Sequence, residues 1–253
     1  MKLEGKVAVV VGGGSGIGRA TSKLLAQEGA QVIVADLDIE KAERVCGEIE
    51  ANGGRSLPVK MDMTKETEAF EMVRLALEKY GQIDILVNVA GGSMGPHIRE
   101  KFSPFVESTK AEWDHIIDVN LNGARNCSRA VIGHMVERSK GKIVSFSSVA
   151  GVTGAKNTVD YSAAKAAVIG FTKALALEAG PCGIQVNCIA PSGVATERMQ
   201  AFADQAAREN RPGLDLSKLA KPEELAQTVL FLVSDEVTRI NGECIVVAGT
   251  TGR

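Results

Sequence analysis

The chain has 253 residues, 45% of them hydrophobic and 24% charged. These are ordinary soluble-globular values, and they exclude disordered, collagen-like and disulfide-scaffold classes. With 29 Lys and Arg against 31 Asp and Glu the net charge is −2, too near neutrality for a protein whose main task is neutralising a phosphate backbone, so nucleic acid is not an expected partner.

No Pro/Gly/Ser-rich linker, repeat or low-complexity run divides the chain, and residues 1–253 read as one domain. The apolar stretch Val7 to Val11 is too short for a signal peptide, and no run approaches the roughly 18 apolar residues of a spanning helix. A cytoplasmic protein without membrane contact is the expectation. Cys46, Cys127, Cys182, Cys188 and Cys244 form no CxxC and no Cys/His cluster, so they read as reduced thiols, and no metal is implied.

In chain order, β-branched apolar runs predict strands at Val7–Val11, Gln31–Ala35, Arg55–Met61, Ile83–Val87, Lys142–Phe146, Gln185–Ile189 and Glu243–Val247. Between them lie helical patterns at Gly18–Glu28, Ile39–Ala51, Lys65–Lys79, Ala111–Glu137, Thr158–Ala179 and Pro222–Leu232. Such alternation is the pattern of a parallel sheet with helices on both faces, an α/β fold. Pro222 followed by two glutamates suits a first helical turn, where proline loses no hydrogen bond. Two segments, Gly92–Lys110 and Ser192–Leu219, break the alternation and read as long loops on the carboxyl edge of the sheet, where ligands bind.

The first strand runs into Gly12-Gly13-Gly14-Ser15-Gly16-Ile17-Gly18 and then a helix. Glycines here let helix-terminal amides approach a pyrophosphate, and no Gly-Lys-Ser/Thr ending is present, which removes the P-loop reading. Asp36 closes the second strand, 18 residues after Gly18, near the spacing at which a carboxylate meets an adenosine ribose. Neither Ser15 nor Leu37 offers a cation for a 2′-phosphate, so NAD is expected over NADP. Asp62-Met63 could hold an adenine, and the small residues of Asn88-Val89-Ala90-Gly91 suit close backbone approach to a cofactor.

Tyr161 and Lys165 stand four residues apart, one helical turn, where a buried cation would lower the phenol below its usual value near 10 and make it an acid/base. Ser148, just past a strand, could hydrogen-bond a substrate oxygen, and a turn role is equally open. Asn120 lies inside a helical pattern that disfavours it. It either bends the helix and orients a water beside Lys165, or is simply exposed.

These residues together resemble the short-chain dehydrogenase/reductase family over essentially the whole chain. The resemblance implies a Rossmann fold with a seven-stranded sheet in order 3-2-1-4-5-6-7. It assigns Asn120, Ser148, Tyr161 and Lys165 to catalysis. Gly12, Ser15, Gly16, Ile17, Gly18, Asp36, Leu37, Asp62, Met63, Asn88, Ala90 and Gly91 fall to cofactor binding, with Tyr161, Lys165, Pro191, Val194 and Thr196. Val11, Val89 and the pair Pro191-Ser192 depart from the family's Thr, second Asn and Pro-Gly.

The implied reaction is hydride exchange with a small-molecule secondary alcohol or ketone, hydrophobic or alicyclic, or with a hydroxyacyl thioester. An NADPH-dependent 3-oxoacyl thioester reductase is the alternative, and a non-catalytic dinucleotide-sensing regulator the alternative of another class. Met94, Phe102, Phe105, Val149 and Met199 are expected near the pocket, and His97, Arg99 and Lys101 could meet an anionic substrate group. A homotetramer is implied as well. The long helices Ala111–Glu137 and Thr158–Ala179 would then pack between subunits, with small residues such as Ala163, Ala164, Ala166, Ala167 and Val168 permitting close contact, or those residues would face the chain's own sheet.

Overall fold

The structure, a computed structural model, describes residues 1–94, 102–208 and 215–248. Seven parallel strands form one sheet: β1 (Val7–Val11), β2 (Gln31–Asp36), β3 (Arg55–Lys60), β4 (Ile85–Asn88), β5 (Gly141–Phe146), β6 (Ile184–Pro191) and β7 (Cys244–Val247). Their order is β3-β2-β1-β4-β5-β6-β7, as the resemblance implies. Every residue of β1 and β4 is buried, because helices cover both faces, and this is why those strands read as unbroken apolar runs rather than as alternations.

The helices are α1 (Gly16–Gln27), α2 (Ile39–Glu50), α3 (Glu66–Tyr80), α4 (Lys110–Ile117), α5 (Gly123–Glu137), α6 (Val149–Thr153), α7 (Val159–Ala179), α8 (Glu197–Arg208) and α9 (Pro222–Val233). On one face Val10, Val34 and Val87 pack with Leu25 of α1 and Leu225 and Val229 of α9. On the other, Val9, Ile33 and Leu86 pack with Met72 of α3, Val131 of α5 and Ala176 of α7. Side chains that alternate along a strand thus feed two separate cores. Pro222 opens α9, with Lys221 N donating to the Glu224 carboxylate at 2.7 Å. No helix of the described residues is long and apolar enough to cross a membrane.

Two expectations are corrected. The single helix expected over Ala111–Glu137 is two helices joined by a π-helical turn, Asp118–Asn122. The segment Ser192–Leu219, read as a loop, contains α8, whose signals were present: the Thr196 hydroxyl accepts from Met199 N at 3.3 Å, and Glu197 stands in the first turn. Of the other long segment, residues 95–101 lie outside the described part, with His97, Arg99 and Lys101 among them. On α7, Ala164 and Val168 face the chain's own interior, whereas Ala163 and Ala166 are exposed.

The amino edge of the sheet is fastened by Asp84, buried to 4% exposure. Its carboxylate accepts from Val7 N at 2.8 Å, from Gln82 Nε2 at 2.8 Å and from Arg138 Nη2 at 3.0 Å, tying β1, the start of β4 and the end of α5 together. Removing it leaves the buried Val7 N–H without its acceptor and takes the carboxylate from the Arg138 guanidinium, which keeps only the neutral oxygens of Ile83 O and Gln82 Oε1, both at 3.1 Å. Asp84→Ala is therefore expected to lower the unfolding free energy by about 3 kcal/mol, as urea denaturation would measure; a change below about 0.5 kcal/mol would show that the fastening contributes little.

Candidate active site

β1 and β4 are neighbours in the sheet although β2 and β3 intervene in the chain. The winding therefore reverses between them, and a crevice opens at their carboxyl ends. Gly12 follows β1 in a left-handed conformation (φ 75°), and a Cβ there would lie 2.8 Å from Ala90. Only glycine lets the turn after β1 close onto the turn after β4. Gly12 N and Gly13 N both donate to Ala35 O, at 2.8 and 3.1 Å, which anchors the loop to β2.

Asp36, at the end of β2, faces this loop. Its Oδ2 accepts from Gly14 N at 2.9 Å and its Oδ1 from Asp38 N at 3.1 Å, so the carboxylate is oriented by backbone donors beside the glycines. Leu37 next to it is 51% exposed. One cation near this corner escaped the sequence reading: the Lys41 stem packs against Gly14. Its ammonium is paired with Asp38 at 2.9 Å.

Glu197 at the start of α8 reaches the first turn of α1, where its Oε2 accepts from Gly16 N at 3.0 Å. Thr196 packs against Gly16 as well. The chain's own carboxylate thus demonstrates that this helix terminus receives an anionic oxygen, as the partial positive charge of aligned peptide dipoles favours. A cavity of about 830 Å³ runs from here between α1, α8 and α9, lined by Gly16, Arg19, Thr196, Glu197, Gln200 and Pro222 among others, away from Tyr161.

The turn after β4 leads into the second half of the site. Gly91, with φ 144°, packs so closely that a Cβ would lie 2.7 Å from Asn120 Oδ1 and 3.2 Å from Lys165 Nζ. Asn120 is buried, accepting from Gly92 N at 2.9 Å and donating to Gly92 O at 2.9 Å and Ile116 O at 3.0 Å. It occupies the π-helical turn, and its side chain clamps the β4 turn to that bulge. Asn120 is thus not the exposed side chain of the alternative expectation; the helix carries a π-helical turn where a bend was expected, and the group Asn120 holds is backbone. Asn88 donates to Ser128 Oγ and Ser145 Oγ at 3.3 and 3.1 Å, joining β4 to α5 and β5.

Ser148 caps α6, accepting from Ala150 N at 3.2 Å, and its hydroxyl stands close enough to the Tyr161 phenol to act on its proton. Lys165 lies one turn after Tyr161 on α7, its Nζ 5.7 Å from the phenol ring centre. It donates to Phe146 O at 2.8 Å. Burial pushes the Lys165 ammonium down to about 8. Burial also pushes the Tyr161 phenol up, against the Ser148 hydroxyl and the Arg198 charge, which pull it down. The lowered phenol expected from sequence is thus corrected. Low-dielectric surroundings disfavour both charged forms, so the protein's own groups leave Tyr161 a protonated acid.

The other expected residues end or follow β3, β4 and β6 at the carboxyl edge of the sheet. Met63 is buried against Gly123 of α5, and Asn126 Nδ2 donates to its carbonyl at 3.0 Å. The Asp62 carboxylate binds Thr64 N and Thr64 Oγ1 at 3.0 and 2.7 Å. Pro191 ends β6, and Val194 bridges to Ala220. Phe102 and Phe105 are exposed, Phe105 standing edge-on to Trp113 at 6.1 Å. Arg198 of α8, not anticipated, donates to Gly91 O at 3.2 Å and Met94 O at 3.5 Å, linking the two segments first read as loops. Among the described residues no three His, Cys, Asp or Glu gather as metal ligands.

The sequence model of the short chain dehydrogenase family matches residues 6–207. The chain belongs to the short-chain dehydrogenase/reductase family. It is 37% identical over 249 residues to the 3-oxoacyl-(acyl-carrier-protein) reductase FabG of Thermotoga maritima, covering 98% of each chain. It is 36% identical to (2S)-((R)-hydroxy(phenyl)methyl)succinyl-CoA dehydrogenase subunit BbsD of Thauera aromatica, covering 98% of this chain and 97% of that one. Among solved structures, the 3-ketoacyl-(acyl-carrier-protein) reductase of Brucella melitensis complexed with NADH superposes with a TM-score of 0.84 at 34% identity, over 98% of both chains. The protein is an oxidoreductase acting on alcohol or ketone groups with a nicotinamide dinucleotide cofactor.

Lys165 yields a pH signature. A lysine in the unfolded chain keeps its proton to about 10.5, while the folded one releases it at about 8. Between these values the unfolded state binds more protons, so raising the pH relieves the cost of burying the charge. The stability of the wild type relative to Lys165→Met should therefore rise from pH about 8 to about 10, by at most about 1.4 kcal/mol per pH unit. Urea unfolding of both proteins across that range checks it, and a flat or falling difference would contradict the burial argument.

Proposed function

We propose that the chain is an NAD-dependent dehydrogenase/reductase that exchanges a hydride with a secondary alcohol or ketone, a hydrophobic or alicyclic hydroxy compound or a hydroxyacyl thioester. The observation that carries this reading is the gathering of Tyr161, Ser148 and Lys165 at the carboxyl edge that also holds Asp36 and the glycine turn.

When bound, a nicotinamide cofactor supplies the carbon that takes or gives the hydride. Asp36 would accept from the adenosine ribose hydroxyls and repel a 2′-phosphate. The nearby cations are committed elsewhere: Lys41 to Asp38, and Arg19 to Glu48 at 2.8 Å. The first-turn amides of Gly16 to Gly18 suit the phosphates. Thr196 and Val194 would hold the nicotinamide carboxamide, and Lys165 would hold the nicotinamide ribose.

Ser148 would hold the reacting oxygen while Tyr161 exchanges a proton with it, a contribution of about 10² to 10⁴ in rate. Because burial favours the protonated phenol, Tyr161 begins as a proton donor to a ketone. In the oxidative direction its proton must first leave, so oxidation should gain from rising pH more than reduction does.

A second reading, NADPH-dependent reduction of a 3-oxoacyl thioester, is favoured by the activities named for two of the relatives and by the protonated Tyr161; Asp36 argues against its cofactor. Assembly as a homotetramer, supported by the exposed Ala163 and Ala166 on α7, belongs to the same proposal, and so does a cytoplasmic location.

The test is a fluorescence titration with NADH and NADPH, followed by a panel of hydroxyacyl thioesters, their 3-oxo counterparts and alicyclic alcohols. NADH is expected to bind about tenfold or more tighter, about 1.4 kcal/mol, and the reverse order would favour the second reading. Tyr161→Phe should lower kcat by about 10² or more and leave NADH affinity within about twofold. Full turnover in that variant on a good substrate would end the catalytic assignment, and dinucleotide binding without turnover on any substrate would favour a sensor.

Glu197 adds a separate expectation. Its carboxylate stands on the amide that the phosphates would use, so Glu197→Gln should tighten NADH binding by about two- to fivefold, the worth of one charge at a helix terminus. Weaker binding in that variant would mean that Glu197 assists the cofactor instead.

A further inference from the structure

Cys188 on β6 and Cys244 on β7 are in-register partners of two parallel strands, with Cys188 N donating to Glu243 O at 2.9 Å. In-register side chains on parallel neighbours leave the same face of a sheet, with strands about 4.8 Å apart, inside the roughly 4.4–6.8 Å Cα separation that a disulfide spans. That face is the one α7 covers. Ile184 and Val186, which alternate with Cys188 along β6, pack with Ala176 and Ala179, and a Cβ at Gly242, two residues before Cys244, would lie 3.4 Å from Ala176. Cys188 is buried and Cys244 half-buried, so one thiol of the pair can be reached from solvent and the other waits beneath it.

We propose that Cys188 and Cys244 form a reversible dithiol site, oxidised to an intramolecular disulfide by a hydroperoxide and restored by a small thiol reductant. The Cys244 thiolate attacks one peroxide oxygen: an S–O bond forms, the O–O bond breaks, and the departing alkoxide or hydroxide takes a proton. The Cys188 sulfur then attacks the Cys244 sulfenic acid; the S–S bond forms, the S–O bond breaks, and hydroxide leaves with the Cys188 proton as water. Two thiols lose two electrons in all, and the peroxide is reduced to an alcohol and water, or to two waters.

The surroundings assign the order of events. The neighbouring Cys188 thiol, helped by the Lys173 charge, holds the Cys244 thiol down to about 7, while the same pairing and burial push Cys188 up. A partly exposed cysteine beside a cation is the reactive kind. The other thiols are internal controls. Burial raises Cys46 and pushes Cys127 up to about 12, and Cys182 stands in the turn between α7 and β6, ahead of the strand that carries Cys188. Side chains on parallel neighbours run side by side instead of converging, so the bond closes with strain and is readily reduced, the behaviour of a labile disulfide. This proposal is independent of the substrate and cofactor assigned above.

The experiment treats the intact protein with hydrogen peroxide, alkylates the remaining thiols after denaturation, and maps the peptides by mass spectrometry without reductant. The expected result is a Cys188–Cys244 linked peptide pair that dithiothreitol returns to two thiols, with loss of alkylatable Cys244 about tenfold or more faster than loss of Cys127. In Cys244→Ser, a substitution at the half-exposed position, the link should vanish and Cys188 should remain alkylatable. Equal protection of Cys244 and Cys127, a link from Cys244 to Cys182 or to another chain, or accumulation of Cys244 sulfinic acid without a link would each overturn the proposal. The wild-type map decides the matter even if the serine variant folds poorly.

Discussion

The side-by-side pairing of β1 and β4 is the constraint on which the rest of the molecule depends. The winding of the sheet reverses at that pair, so the segments that follow the two strands diverge and leave a crevice between them. Gly12 lets the two turns meet, since the atoms of Ala90 occupy the space its side chain would need. From Ala90 the contact passes to Gly91, from Gly91 to the Asn120 amide and the Lys165 ammonium, and from Lys165 to the carbonyl of Phe146. The first step is a close approach of two backbones, and the later ones bring backbone against polar side chains.

This arrangement places two titratable groups in low dielectric. Burial drives Lys165 and Tyr161 toward their neutral forms, so the pair is held away from its solution chemistry by the fold and not by mutual attraction alone. A phenol kept protonated and a lysine near the edge of ionisation form a proton reservoir whose direction of use depends on what else enters the crevice. The Ser148 hydroxyl, fixed as the cap of α6, is the fixed point against which that proton moves.

Much of the fold was legible because fully buried parallel strands write themselves as β-branched runs, and β1 matches its expected limits residue for residue. The π-helical turn at Asp118–Asn122 was not, since its cause is tertiary: the Asn120 side chain prefers the Gly92 backbone to the regular helix. Helix α8 was passed over because a mixed-polarity segment read by periodicity alone resembles a loop, although its Thr196 cap and first-turn Glu197 were visible. Lys41 near Asp36 was missed because it is distant from the glycine turn in sequence and reaches it only when α2 packs against the sheet.

The sequence by itself determined the class of fold, the order in which strands and helices alternate, and the residue types that can carry hydride and proton exchange, since these follow from local periodicity and short spacing. The tertiary structure alone decided what those groups experience. Burial set the direction in which Tyr161 and Lys165 shift, a hydrogen bond placed the Glu197 carboxylate on the first turn of α1, and strand register set Cys188 beside Cys244. Such properties depend on dielectric and on distances between residues far apart in the chain, and linear order does not encode them until the chain has packed.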